Sequence, residues 1–278
     1  MYKKFIQIWR NSKFLFKISK RHKFIISVIV LSALLFLLQH LFGKSGVYIA
    51  FLLSFLTVIF LFWAIFRDLI ETRSLGAKVP FQVFILPFFF SLSFGLFYFL
   101  VPARFLTRLI MTSLYAVGLY SLLLSVNIFI VSSIRTIALL SSARTVSFTT
   151  ALLSYFFLSN VIFSLHENVL ITLLLIFGFS FPLILQSVWT YTLDKHWYSQ
   201  ILWVFLLTIC LVEVSFVLWF FATLPTIIAL FLTGFFYIVV GLSLVWFEKR
   251  LFKNVMWEYI WVAIVVFLVF VFFTIKGV

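Results

Sequence analysis

The feature that most constrains this chain is a succession of apolar blocks, each close to the roughly 20 residues a helix needs to cross a bilayer. They fall at 24–42, 47–66, 81–101, 109–131, 148–165, 169–189, 200–221, 225–246 and 257–275. Hydrocarbon offers no water to backbone N–H and C=O groups, so such a block must satisfy them internally, as a helix does. The expected fold is all-α, a polytopic transmembrane helix bundle of about nine spans. Eight or ten spans are the alternatives, because region 105–165 reads in more than one way. Span 4 could continue past Ser132. Residues 134–143 could instead lie along the inner surface with Arg135 and Arg144 in the headgroups, or form a re-entrant piece.

Composition supports a lipid environment. Apolar residues fill 65% of the 278 positions and charged residues 10%, against about half and about a quarter in soluble domains. The connecting segments are too short to fold alone. The expected organisation is a basic cytoplasmic N-terminal segment, 1–23, and a single transmembrane helical domain, 24–278. Phe is unusually common at 41 residues. With Ile and Lys also frequent, this reads as mutational bias.

Charge gives a direction. The net charge of +14 would suggest nucleic acid in a soluble protein. Here the cations sit in short connections and at helix ends, so topology explains them and no nucleic-acid partner is expected. If the first span runs outward, 17 of the 21 Lys and Arg fall on the inner side, and Lys44, Arg104, Arg108 and Lys276 on the outer. This is the positive-inside bias, and it places the N-terminus in the cytoplasm and the C-terminus outside. Trp63, Trp189, Trp203, Trp246 and Trp257 gather near the expected inner helix ends, where amphipathic rings favour the headgroup level.

Eight cations and no acid precede Phe24, and no small-x-small cleavage site follows. The start reads as an uncleaved signal anchor. Phe5, Trp9 and Phe16 near one helical face, among those cations, would let the segment lie on the inner leaflet and bind anionic lipid. A plain topology signal is the alternative.

Few residues could carry chemistry. Glu213 is the one carboxylate deep in a span, with Cys210, Leu211, Val212, Val214 and Phe216 around it. A charged group at the bilayer centre costs about 2.5–3.5 kcal/mol on insertion scales. No cation lies at its depth, so a neutral carboxyl hydrogen-bonded to Asn160, Asn127, Ser215 or a carbonyl is expected. Its role is either a coupling group in a cavity or a clasp between helices. Asn160, Asn127 and Gln186 are the other polar candidates, each also able to serve as interhelical glue. Pro182 cannot donate to the carbonyl of Gly178 and should kink span 6, as at the broken helices that line some transporter sites. Arg104 and Arg108 cap spans 3 and 4 outside and could hold an anionic lipid headgroup, or simply snorkel.

An enzyme fits poorly. Seven acids and four His leave few catalytic constellations. His166 beside Glu167 shares no helical face with it, and only a distant His40 could join them. Asp68 and Glu71 read as local salt-bridge partners of Arg67 and Arg73. There is no phosphate-binding glycine loop, no nucleophile elbow and no Cys pair, so no metal or cofactor is expected.

The stretch Lys17-Ile-Ser-Lys-Arg-His-Lys-Phe24, running into a span that ends Leu38-Gln39, resembles the start of a family of polytopic membrane proteins from candidate-phyla bacteria with no assigned activity. The resemblance implies a bacterial cytoplasmic membrane and no catalytic residue. Three functions stay open: a permease or flippase-like transporter, as the leading expectation; a non-catalytic platform for membrane protein partners; and an intramembrane lipid-modifying enzyme. They separate on whether Glu213, Asn160, Asn127 and Gln186 converge on one cavity, scatter into helix contacts, or yield to a meeting of His166, Glu167 and His40.

Overall fold

The computed structural model describes residues 20–41, 46–74, 80–101, 104–132, 139–192, 198–221, 223–249 and 252–276. Among them are nine α-helices and no strand: α1 Lys20–Leu41, α2 Gly46–Ser74, α3 Ile85–Leu100, α4 Phe105–Ser132, α5 Leu140–Ser164, α6 Val169–Thr192, α7 Tyr198–Trp219, α8 Pro225–Phe247 and α9 Lys253–Lys276. Eight of these, α2 to α9, are long and apolar enough to cross a membrane. The chain is thus a multi-pass helical bundle, with one helix for each expected apolar block.

The helices alternate in direction, as contacts at matched depths show. Lys23 of α1 lies over the Trp63 ring of α2 at 5.1 Å. Ser91 of α3 reaches both Thr57 of α2 and Tyr115 of α4. Phe129 near the end of α4 meets Trp189 near the end of α6, while Gln186 of α6 meets Ser147 near the start of α5. Trp219 at the end of α7 donates to the carbonyl of Glu167 just before α6. Tyr237 and Tyr259 pair α8 with α9. An odd number of alternating helices puts Lys20 and Lys276 at opposite ends. The end carrying the starts of α1, α3, α5, α7 and α9 is called the basic end below.

α5 is the hub. It packs on α3, α4, α6 and α8, and 67% of its span is buried, against 6% for α9. Its sequence explains the place. Ser147, Thr150, Ser154, Ser159 and Asn160 make it the least apolar of the eight spans, and lipid is the worst neighbour for such a helix. Small residues also let other helices approach closely. Three glycines serve the same end elsewhere: a Cβ on Gly95 would lie 2.8 Å from the Cβ of Ala50, on Gly118 2.5 Å from Phe90, and on Gly234 2.7 Å from Val266.

Three boundaries depart most from expectation: α2 runs on to Ser74, about two turns past the expected 66, and two helices start at unexpected places. The third block opens with a 3₁₀ turn, Phe81–Phe84, before α3 begins at Ile85. Pro87 has no N–H for the carbonyl of Val83, so the α-helical ladder cannot start earlier at that point. α5 begins at Leu140, about two turns before the expected 148. Within the region 134–143 that could lie along the inner surface, residues 140–143 belong to α5, and Arg144 is bound to the ends of α6 and α8. The basic segment 1–19 and Arg135 lie outside the described residues.

Candidate functional site

The candidate polar residues do not converge. Asn160 sits toward the end of α5 and donates through Nδ2 to the Thr226 hydroxyl in the first turn of α8, at 3.0 Å. Ser164 donates to its backbone carbonyl. Asn160 is therefore an α5–α8 clasp. Gln186, 1% exposed, donates to Ser147 Oγ of α5 at 3.2 Å. Ser147 and Asn160 stand 13 positions apart on one helix, about 20 Å by the helical rise. The two amides therefore work at different ends of the bundle. Asn127 is half-buried on α4, its Oδ1 enclosed and without a hydrogen-bond partner among the described residues.

Glu213 departs furthest from expectation. Its side chain is exposed on the outward face of α7, among Leu202, Leu206, Phe216, Val217 and Phe220. No hydrogen bond or ion pair reaches it from the described residues. Ser215 donates instead to the carbonyl of Leu211, and Asn160 is engaged with Thr226. Where hydrogen-bonded burial was expected, the carboxyl is exposed and has no partner among the described residues. The physical reason lies in its helix. α7 is apolar on every side, so no amphipathic contrast fixes which face turns inward. The buried face is set instead by Val204, Thr208, Leu211 and Ser215 packing inside. Glu213 precedes Trp219 by six positions, which puts it about 9 Å below that ring. Its Cα–Cβ bond tilts toward the helix N-terminus, away from the nearer surface, so the carboxyl gains little by snorkelling.

Pro182 lies inside α6, which runs unbroken through it. It is half-buried, and Gly178 one turn earlier is exposed. A Cβ on Gly178 would meet nothing within 4 Å. Arg104 is exposed and Arg108 half-buried. One turn apart at the head of α4, both side chains stand on one helical face. The Arg108 N–H donates to the Arg104 carbonyl at 3.0 Å.

A polar site that sequence reasoning missed lies at the basic end. Arg144 donates through Nε to the carbonyl of Thr190 at 3.1 Å and through one Nη to that of Tyr191 at 2.8 Å. Its other Nη meets Glu248 Oε1 at 3.0 Å. The guanidinium also lies 5.0 Å from the Tyr191 ring centroid. Thr190 and Tyr191 belong to the last turn of α6, whose carbonyls have no intrahelical donor. A fork of N–H groups fits them, and the cation complements the negative end of that helix. Glu248 caps α8, so one side chain joins three helices. The available signal was an Arg followed by a Ser/Thr-rich run into a span, read as loop because Ser141, Ser142, Arg144, Thr145 and Ser147 are polar.

Further polar pairs sit at other levels. Thr57, Ser91 and Tyr115 link α2, α3 and α4 at 2.8 and 3.0 Å. Ser180 donates to the Tyr155 hydroxyl at 3.2 Å between α6 and α5. Among the described residues no group of three His, Cys, Asp or Glu could hold a metal. The His166 ring and the Ser164 carbonyl share a 2.9 Å contact. The side chain of His40 is outside the described residues. No family model, curated protein or solved structure matches the chain.

Proposed function

We propose that the protein is a non-catalytic membrane platform, a helical subunit on which a membrane protein partner assembles. The observation that carries this reading is the outward position of Glu213. A carboxyl facing lipid without a partner is costly, and cost without internal return is best explained by a group outside the chain. The dispersal of the remaining polar residues supports the same reading. Asn160, Gln186, Arg144 and the Thr57–Ser91–Tyr115 set each join particular helices, which is what a rigid scaffold needs.

The permease reading rests on convergence of those residues, and their separation along α5 weighs against it. The proline inside α6, with Gly178 exposed one turn earlier, is the feature that favours it, but α6 runs through both without interruption.

Photocrosslinking in native membranes tests the platform. A photoreactive residue at Leu206 or Val217 on α7 is expected to form an adduct with one polypeptide, while the same probe at Trp261 or Leu268 on the outward face of α9 forms lipid adducts. Lipid adducts alone at all four positions would overturn the proposal.

A further inference from the structure

Six glycines lie within the described residues, and five of them have a neighbour inside the chain that a side chain would strike. Gly178 is the exception, with open space where its Cβ would be. A glycine in a helix interior costs about 1 kcal/mol relative to alanine, and no internal packing explains this one. Its carbonyl is special too. Pro182 stands four residues on and has no N–H to give it. The i→i+4 bond to that carbonyl is therefore missing on an exposed stretch of α6.

α6 and α7 pack side by side in opposite directions. Phe177, next to Gly178, meets Phe205 of α7 with ring centroids 6.2 Å apart. The two outward faces form one surface. It carries the Gly178 carbonyl near mid-depth and the Glu213 carboxyl nearer the end marked by Trp219. Both offer oxygen acceptors, and the large exposed side chains around them are Leu, Ile, Phe, Val and Trp. The described residues of the chain's own spans carry their cations near the span ends rather than at the depth of Glu213.

We propose that the α6–α7 face docks a transmembrane helix of a partner protein that bears a Lys or Arg in its outer half, paired with Glu213, and that Gly178 is the point of close backbone approach. Complementary charge selects the occupant: a cation brought to the same depth gives the carboxyl an ion-pair partner that the described residues do not supply. The inference rests on the platform reading and adds the chemistry of the partner.

The test uses the full-length protein in phosphatidylcholine vesicles, fluorescently labelled, with synthetic Leu-rich helices of about 20 residues. One peptide carries a single Lys placed two turns below its outer end, one carries Glu there, and one is Leu throughout. Energy transfer is expected to show the Lys peptide binding about tenfold more tightly than the Leu peptide, with the preference lost in Glu213→Gln and reversed toward the Glu peptide in Glu213→Lys. Gly178→Leu is expected to weaken the Lys peptide without lowering the unfolding temperature. Equal binding of Lys and Leu peptides would overturn the proposal. So would transfer between two labelled copies of the protein that disappears in Glu213→Gln, which would make a second copy the occupant. Crosslinks from α7 to a polypeptide together with no Lys preference would sink the partner chemistry and leave the platform standing. Absence of any polypeptide adduct would sink both.

Discussion

Arg144 and Glu213 show two opposite uses of charge in a chain that has little of it. Arg144 spends its whole donor fork on fixed acceptors: two carbonyls at the end of α6 and the carboxylate of Glu248. Removing it strands the two carbonyls and the Glu248 carboxylate, whose side chain is 25% exposed, so water replaces the lost bonds only in part. Arg144→Gln is expected to destabilise the bundle by roughly 1.5–3 kcal/mol, the range for hydrogen bonds to charged groups, read as denaturant unfolding in detergent. Glu248→Gln, which leaves both carbonyl bonds intact, is expected to cost less. Equal stability of Arg144→Gln and the wild type would contradict the three-helix role. Glu213 supports nothing internally, so Glu213→Gln is expected to shift monomer stability by no more than about 0.5 kcal/mol in the same measurement. A loss of several times that would mean the carboxyl has an internal partner after all. Neither role was legible in the chain of letters. Counting cations by side assigned Arg144 to topology, because such a count records where a charge lies and not what it touches. Glu213 stands among apolar residues in every direction, so nothing in the sequence told its outward face from its inward one.

At the level of elements, helix number and order were legible, since the length of each apolar block is dictated by bilayer thickness and every block became one helix. The central place of α5 was not read, although its cause is written there: a span crowded with Ser and Thr is least suited to lipid and best suited to close neighbours. Its early start was missed for the same reason, because Ser141, Ser142, Arg144 and Thr145 resemble a loop until the ends of α6 and α8 are there to receive the Arg. The break at Pro87 shows local chemistry overriding hydropathy, with a 3₁₀ turn bridging residues that the apolar pattern assigned to one helix. Close approach between helices gives a sharp comparison. An added methyl on Gly95 would stand 2.8 Å from Ala50 Cβ and 2.9 Å from its Cα, and backbone cannot step aside cheaply. Gly95→Ala is expected to cost about 1–3 kcal/mol as overpacking. Gly178→Ala, with open space before it, is expected to be neutral or stabilising by up to about 1 kcal/mol. Paired thermal unfolding curves check both, and a larger loss at Gly178 than at Gly95 would refute the packing assignment.

At the level of the whole molecule, polar groups are distributed as joints. Thr57–Ser91–Tyr115 binds the first helices together, Asn160–Thr226 and Gln186–Ser147 tie α5 to its neighbours at its two ends, and Arg144 closes the basic end. These joints hold the bundle together, while the Glu213 carboxyl points outward. The account stands on the claim that these interior groups are dry. Single cysteines placed at Ser91, Ser147 and Asn160, in a protein with Cys210→Ala, can be challenged with a membrane-impermeant maleimide, using His166→Cys in the exposed turn before α6 as the positive control. The account predicts labelling at 166 and none at the three interior positions in the folded protein. Rapid labelling at both 147 and 160 would reveal a shared aqueous cavity and contradict it.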